Sequence, residues 1–262
     1  MKKLGLALGG GGCRGIAHIG FLQALEEENI KPDYIVGSSI GSVVGCFYAL
    51  GMSPSEMMVE IKKLKKKHVV DFSLNPIFSG ALMKSKKIKR KIKQYLGDKT
   101  FNDLKMPFYA ATVDLKSGNR YLAKGDDDLT TCIVASCSIP GIFKPVPYKD
   151  MLLCDGAVLN RVPCYPLKSL GAEVVIGIDV LGEIKVPEKE RMNTIERVFR
   201  MFEVVDNELT NRCKSEEKPD FFILPNMEGI SQFDFKKMEM AYESGYKIGK
   251  EKIAQIKRAL ND

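Results

Sequence analysis

Nucleophilic chemistry in this chain would centre on Gly37-Ser38-Ser39-Ile40-Gly41. The segment fits G-x-S-x-G, in which the middle serine sits on a sharp strand-to-helix turn and projects its hydroxyl at the edge of a sheet. Its flanks agree with that context. Tyr34–Val36 is a short apolar run of strand type, and the apolar residues of Val43–Leu50 keep helical spacing. Gly37 and Gly41 leave room for the turn, and the start of a helix favours developing negative charge. The plainer alternative is a serine that merely caps the helix. As a nucleophile, Ser39 needs a group to take its proton. The common hydrolase order of serine, acid and histidine requires a histidine late in the chain, but the only two are His18 and His68. His18 falls in the first expected helix, as a packed or capping residue, and His68 ends a lysine run on the surface. A histidine triad in that order is excluded, so another residue must be the base.

Gly9-Gly10-Gly11-Gly12-Cys13-Arg14-Gly15 lies between the first expected strand and the first helix. Successive glycines let backbone N–H groups converge on an anion. One use is phosphate binding, since Gly10, Gly12 and Gly15 satisfy G-x-G-x-x-G and would serve a dinucleotide-dependent oxidoreductase. That function wants an acid at the end of the second strand, whereas Asp33 precedes that strand and its end carries Gly37 and Ser39. The phosphate loop of nucleotide hydrolases is ruled out by Ile16 in place of its lysine. A tight turn accounts for one or two glycines, not four in a row. The better reading is an oxyanion hole facing the serine turn.

Asp155-Gly156-Ala157 follows the apolar run Met151–Cys154. Alone, Asp-Gly between apolar runs signals a hairpin turn. Taken with the serine and the glycine loop, it resembles the third motif of the patatin-like phospholipases. That family's pattern is G-G-G-x-[KR]-G, G-x-S-x-G and D-G-[GA], matched here by Gly10–Gly15, Gly37–Gly41 and Asp155–Ala157. Ala111–Leu115 and Ala135–Pro145 are similar to two further family blocks, so the likeness runs from about Leu4 to Asp179. It implies a three-layer α/β/α domain in which a Ser-Asp dyad hydrolyses acyl esters of lipids. Ser39 would be the nucleophile and Asp155 the base. Gly10, Gly11, Gly12, Cys13, Arg14 and Gly15 would form the oxyanion hole, and Gly37, Gly41 and Gly156 would shape the motifs. No metal or cofactor is needed. Arg14 either contacts substrate or holds the loop through backbone carbonyls. A carboxyl with an ordinary pKa near 3.9 is a weak base for a hydroxyl, so burial would have to raise it. Ile40 is bulkier than the residue usual after the nucleophile and is expected to narrow the acyl site.

The elements that must position these residues alternate along the whole chain as βαβ units do, which predicts a mostly parallel sheet in one domain over residues 1–262. Strands are expected at Leu4–Leu8, Tyr34–Gly37, Phe108–Val113, Arg120–Ala123, Met151–Cys154, Val174–Ile178 and Phe221–Leu224. Helices are expected from Ile16, Ile40 and Ser53, and over Thr130–Ser136, Asn193–Cys213 and Phe235–Leu260. Ser53-Pro54-Ser55-Glu56 combines a capping box with proline at the first helical position.

Seven scattered cysteines form no paired framework and show no metal-type spacing, and no apolar run approaches the ~20 residues that cross a bilayer. A cytoplasmic chain is expected. The formal net charge of +7 is concentrated. Residues 60–99 carry 13 Lys/Arg against three acids, and the remainder is slightly acidic. Lys62–Lys67 and a basic helix over Lys84–Lys93, with Ile88, Ile92 and Leu96 on one side, form either a solvated face or a peripheral contact with an anionic membrane at its inner surface. Nucleic acid is not expected, since no aromatic interleaving accompanies the charge. A non-catalytic regulator that engages a partner through the basic helix is a further alternative.

Overall fold

A computed structural model describes residues 1–63, 86–182, 192, 194–232 and 234–262. Eight strands form one sheet: β1 (Leu4–Leu8), β2 (Tyr34–Ser38), β3 (Phe108–Asp114), β4 (Arg120–Ala123), β5 (Val146–Tyr148), β6 (Met151–Asp155), β7 (Val174–Ile178) and β8 (Phe221–Ile223). The order is β5-β6-β3-β2-β1-β7-β8, with β4 pairing β3 as well. From β3 to β8 all neighbours are parallel, while β4 and β6 pair antiparallel with β3, and β5 with β6.

The helices are α1 (Ala17–Glu27), α2 (Ile40–Ala49), α3 (Pro54–Lys62), α4 (Lys86–Leu96), α5 (Leu129–Ser136), α6 (Leu167–Leu170), α7 (Thr194–Glu216) and α8 (Met238–Asn261). β1 explains the layering. Every residue of it is buried, as expected of a parallel strand covered on both faces. Leu4, Leu6 and Leu8 point to one face and pack with α1, α2, α4, α5 and α8. Ala7 points to the other and joins Val36, Val175, Leu167 of α6 and Cys213 of α7. The period of two therefore sorts the chain into three layers. Ser53 and Glu56 make the expected capping box at α3, while the closing helix begins at Met238 rather than at Phe235. Strand β5 had no sequence signal, because three residues with proline in the middle give no period to detect. The expected helix start at Ile16 is a short 3₁₀ turn, Gly12–Ile16, that leads into α1.

One feature of β3 matters most for function. Ala111 pairs with Ser38 of β2 and with Leu122 of β4, and Thr112 pairs with Asp155 of β6 and with Tyr121 of β4. A strand has two edges, and β4 occupies one of them. β2 and β6 therefore share the other, and they run toward each other along it. Ser38 ends one strand and Asp155 ends the other at adjacent register positions.

Candidate active site

That junction fixes the first two candidate residues. Ser39 follows β2 with φ 53° and ψ −125° and caps the start of α2. Such a backbone is costly for a residue with a Cβ and persists only where its surroundings dictate it. Those surroundings are visible. The Ser39 N–H donates to Ser136 Oγ at 3.1 Å, and Ser136 donates in turn to the Ala111 carbonyl at 2.8 Å. The Ser42 hydroxyl donates to the Ser39 carbonyl at 2.6 Å. Gly41 lies directly against the Leu8 carbonyl, where a Cβ would collide, which is the physical reason for that glycine. A Cβ on Gly37 would meet the Gly41 carbonyl at 2.5 Å.

Asp155 is 1% exposed. Its N–H donates to the Ser138 carbonyl at 3.1 Å. Oδ1 accepts from the Ala157 N–H at 2.9 Å and from Ser38 Oγ at 3.4 Å. Oδ2 is buried with no hydrogen-bond partner among the described residues. Burial pushes the carboxyl up to about 7, against the smaller downward pull of the Ala157 N–H and the Ser39 and Ser38 hydroxyls. The Ser39 hydroxyl is thus among the groups that favour the charged carboxyl. Asp155-Gly156 does not turn a hairpin. The chain continues into a 3₁₀ turn, Gly156–Val158, with Asp155 as its cap. Gly156 packs so near the Ala111 carbonyl that a Cβ would sit 2.5 Å from it.

The glycine loop lies alongside, and a Cβ on Gly10 would come within 3.3 Å of the Ser39 Cβ. Several of its N–H groups are engaged by the protein: Gly9 with Ile178 (3.0 Å), Gly10 with Arg161 (3.1 Å), Cys13 with Gln232 (2.8 Å) and Arg14 with Gly11 (3.3 Å). Gly11 and Gly12 make no such bond among the described residues, and the φ of 57° at Gly12 favours glycine. Gly15 packs against the Ile40 side chain. Arg14 donates to the Ile230 carbonyl at 2.6 Å and to the Leu181 carbonyl at 3.2 Å. Asp33 is remote from the loop, at the opening of β2, where it accepts the Leu4 N–H at 2.7 Å. It is not placed to hold a ribose.

Three supports of this site carried no local sequence signal. His18 is fully buried and bonds the Gly9 carbonyl at 2.8 Å, so Nε2 bears the proton. Burial lowers it to about 4, which keeps it neutral. Arg161, whose carbonyl takes the Gly10 N–H, ion-pairs with Asp179 at 2.8 Å and with Asp206 of α7 at 2.5 Å. Ser136, in the block before Pro140, ties the serine turn to β3. Each role depends on a contact distant in sequence.

Ser39 opens onto an apolar cavity of about 320 Å³, lined by Ile40, Val44, Phe47, Met57, Ile92 and Phe143 among others. α4 forms part of its wall. Ile88, Ile92 and Tyr95 face inward, and Lys86, Lys89, Arg90 and Lys93 are exposed. Tyr95 donates to Glu60 of α3 at 2.5 Å. Lys62 pairs with Glu239, and Lys63 with Glu60. Residues 64–67, His68 and Lys84 lie outside the described residues, as does the stretch 72–82, whose sequence predicts a turn. All seven cysteines are free thiols. Among the described residues, no helix is long and apolar enough to cross a membrane.

Comparisons with known proteins converge on one lineage. The profile of the patatin-like phospholipases matches residues 6–168, well over half of the chain. The mouse protein named patatin-like phospholipase domain-containing protein 6 is 28% identical over 95% of this chain, which spans 20% of that relative. Lysophospholipase NTE1 of Coccidioides immitis is 28% identical over 98% of this chain and 18% of its own length. An uncharacterized NTE family protein of Mycobacterium bovis is 33% identical over 72% of this chain and 52% of its own. This chain thus spans about a fifth of the first two relatives. Among solved structures, VipD from Legionella pneumophila shares the fold, with a TM-score of 0.58 at 15% identity, covering 97% of this chain and 67% of that one. From its first strand through α6, the chain belongs to the patatin-like phospholipase family.

Proposed function

We propose that this member of a lipid ester hydrolase family cleaves carboxylic esters of lipids through an acyl-enzyme, with Ser39 as nucleophile and Asp155 as the only base. One observation carries the reading. A strained serine and a buried carboxyl raised to about 7 stand at the facing ends of β2 and β6, at the head of an apolar cavity.

In the first half-reaction the Ser39 hydroxyl passes its proton to Asp155 as Oγ attacks the ester carbonyl. The buried Oδ2, without a donor, is the acceptor, and a base near 7 suits turnover at neutral pH. The N–H groups of Gly11 and Gly12, unengaged among the described residues, stabilise the oxyanion, while Gly10, Cys13, Arg14 and Gly15 hold the loop in shape. The alcohol leaves with the proton from Asp155. A water then attacks the acyl-enzyme, gives its proton to Asp155, and the fatty acid is released as the proton returns to Ser39. Desolvation serves twice in this scheme: it raises the base and strengthens the oxyanion contacts. The acyl chain occupies the cavity. Ile40, which lines it and packs on Gly15, limits its width beside the nucleophile.

α4 gives this reading a membrane side. Its inner face closes the acyl cavity, and its outer face presents cations to anionic lipid. Labelling with a fluorophosphonate tests the central claim. The probe is expected on Ser39, and Ser39→Ala should lose both label and ester turnover with unchanged circular dichroism. A labelled Ser39→Ala protein would reject the assignment. For the membrane side, binding to vesicles should weaken when anionic lipid is omitted or when Lys86, Lys87, Lys89 and Arg90 are neutralised.

A further inference from the structure

On the face of the sheet away from the acyl cavity, Cys164 Sγ, Cys213 Sγ and a carboxylate oxygen of Glu217 lie within 4.8 Å of one another. The arrangement is specific. Cys213 donates to Glu217 Oε2 at 3.0 Å and also reaches the Val162 carbonyl at 3.4 Å. Asn160 Nδ2 donates to Glu217 Oε1 at 2.8 Å. Asn160 is only 5% exposed, and its Oδ1 is buried with no donor among the described residues. A buried acceptor left unpaired costs stability. It therefore stands out on the residue that holds Glu217.

We infer that Cys164, Cys213 and Glu217 form a binding site for a thiophilic divalent cation of the zinc class, with the Asn160 amide oxygen available as a fourth ligand. Two sulfurs with one or two oxygens suit tetrahedral zinc, and soft thiolates select against magnesium and calcium. Each thiol gives its proton to solvent as its sulfur takes the metal, and the carboxylate exchanges the Cys213 S–H for the ion. The site is separate from Ser39 and Asp155 and does not depend on their chemistry. It does reach the same framework. Cys213 and Glu217 lie in the last turn of α7 and just beyond it, and Asn160 and Cys164 bracket Arg161, whose carbonyl holds Gly10 and whose side chain pairs with Asp206 of α7. A bound cation would pin the end of α7 to the stretch that supports the glycine loop.

The test is a titration of the full, reduced and chelator-treated chain with Cd²⁺, followed by competition with Zn²⁺. The expected result is a sulfur-to-cadmium charge-transfer band of two-thiolate intensity that saturates at one ion per chain, with a higher melting temperature. Cys164→Ser and Cys213→Ser should each remove about half of the band and weaken binding at least roughly tenfold. Glu217→Gln, a milder change at a half-buried position, should keep the band and weaken affinity. Failure of the reduced wild-type chain to bind at micromolar Cd²⁺ would overturn the proposal. So would a full band persisting in a folded Cys164→Ser/Cys213→Ser double variant, since the sulfurs would then be others.

Discussion

Asp114 and Asp155 lie toward opposite ends of the short β3–β6 ladder, and they have opposite characters. Asp114 accepts the N–H groups of Leu152, Lys116 and Ser117 and the Ser117 hydroxyl. Those bonds hold its carboxyl down at about 2. Asp155 lies deeper and receives one short N–H bond and one long hydroxyl bond, and burial above all carries it to about 7. The two share residue type and strand pair, and their carboxyls shift in opposite directions. Deep burial with few donors makes a carboxylate a base, and a shallower position saturated with donors turns the same group into a turn anchor.

The sharpest way to break this contrast is Asp155→Asn. Turnover should fall by on the order of 10²- to 10⁴-fold, with fluorophosphonate labelling lost in step. Stability should move the other way. A carboxyl whose folded pKa lies above its unfolded value of about 3.8 contributes stability at low pH that disappears as pH rises through 7. The amide mimics the protonated form. Wild type and variant should therefore melt alike near pH 4, and the variant should gain on the order of 2–4 kcal/mol at pH 8, as read by thermal or denaturant unfolding. A variant less stable at pH 8 would contradict the account of the site.

The pH profile sharpens the contrast without mutation. With Asp155 as base, kcat/KM should rise about tenfold per pH unit below a midpoint near 7 and level off above it. Ser38→Ala removes the weaker of the two donors to Oδ1. The midpoint should move up, cutting kcat/KM roughly two- to fivefold at pH 7 with little change at pH 9. A uniform loss across pH would mean that Ser38 acts only in packing. The smallest effect on activity belongs to Asp114→Asn, which should leave the midpoint in place. Its cost is structural. Because the Asp114 carboxyl is held down, its contribution is present above the ordinary carboxylate range and fades as pH falls toward 2. The variant should therefore melt earlier than wild type at neutral pH, and the gap should narrow in acid.

Much of this was legible in the residues themselves. Leu4–Leu8 and Val174–Ile178 are strands because continuous apolar runs suit burial on both faces. Ser39 was marked by a strand, two glycines and a helix in order, all local signals. The head-on meeting of β2 and β6 was not legible. It follows from which edge of β3 each strand chooses, and no side-chain period encodes an edge. For the same reason the hydrophobic spacing of α4 indicated which side is apolar, but not that this side closes a cavity over Ser39. The partners of His18, Arg161 and Ser136 are carbonyls and carboxylates brought close by topology alone. Cys164 and Cys213, far apart in the chain and lacking any paired spacing, gave no hint of meeting Glu217.

The left-handed backbone at residue 39 has a consequence for how this protein tolerates change. Only the side chain of Ser39 serves the proposed chemistry, while its φ of 53° would suit glycine better. Ser39→Gly should accordingly fold at least as firmly as Ser39→Ala, the more so because glycine is also the better of the two at a helix N-cap. The residue on which catalysis rests would then be held there against the conformational preference of the chain, a compromise between durability and work written into a single torsion angle.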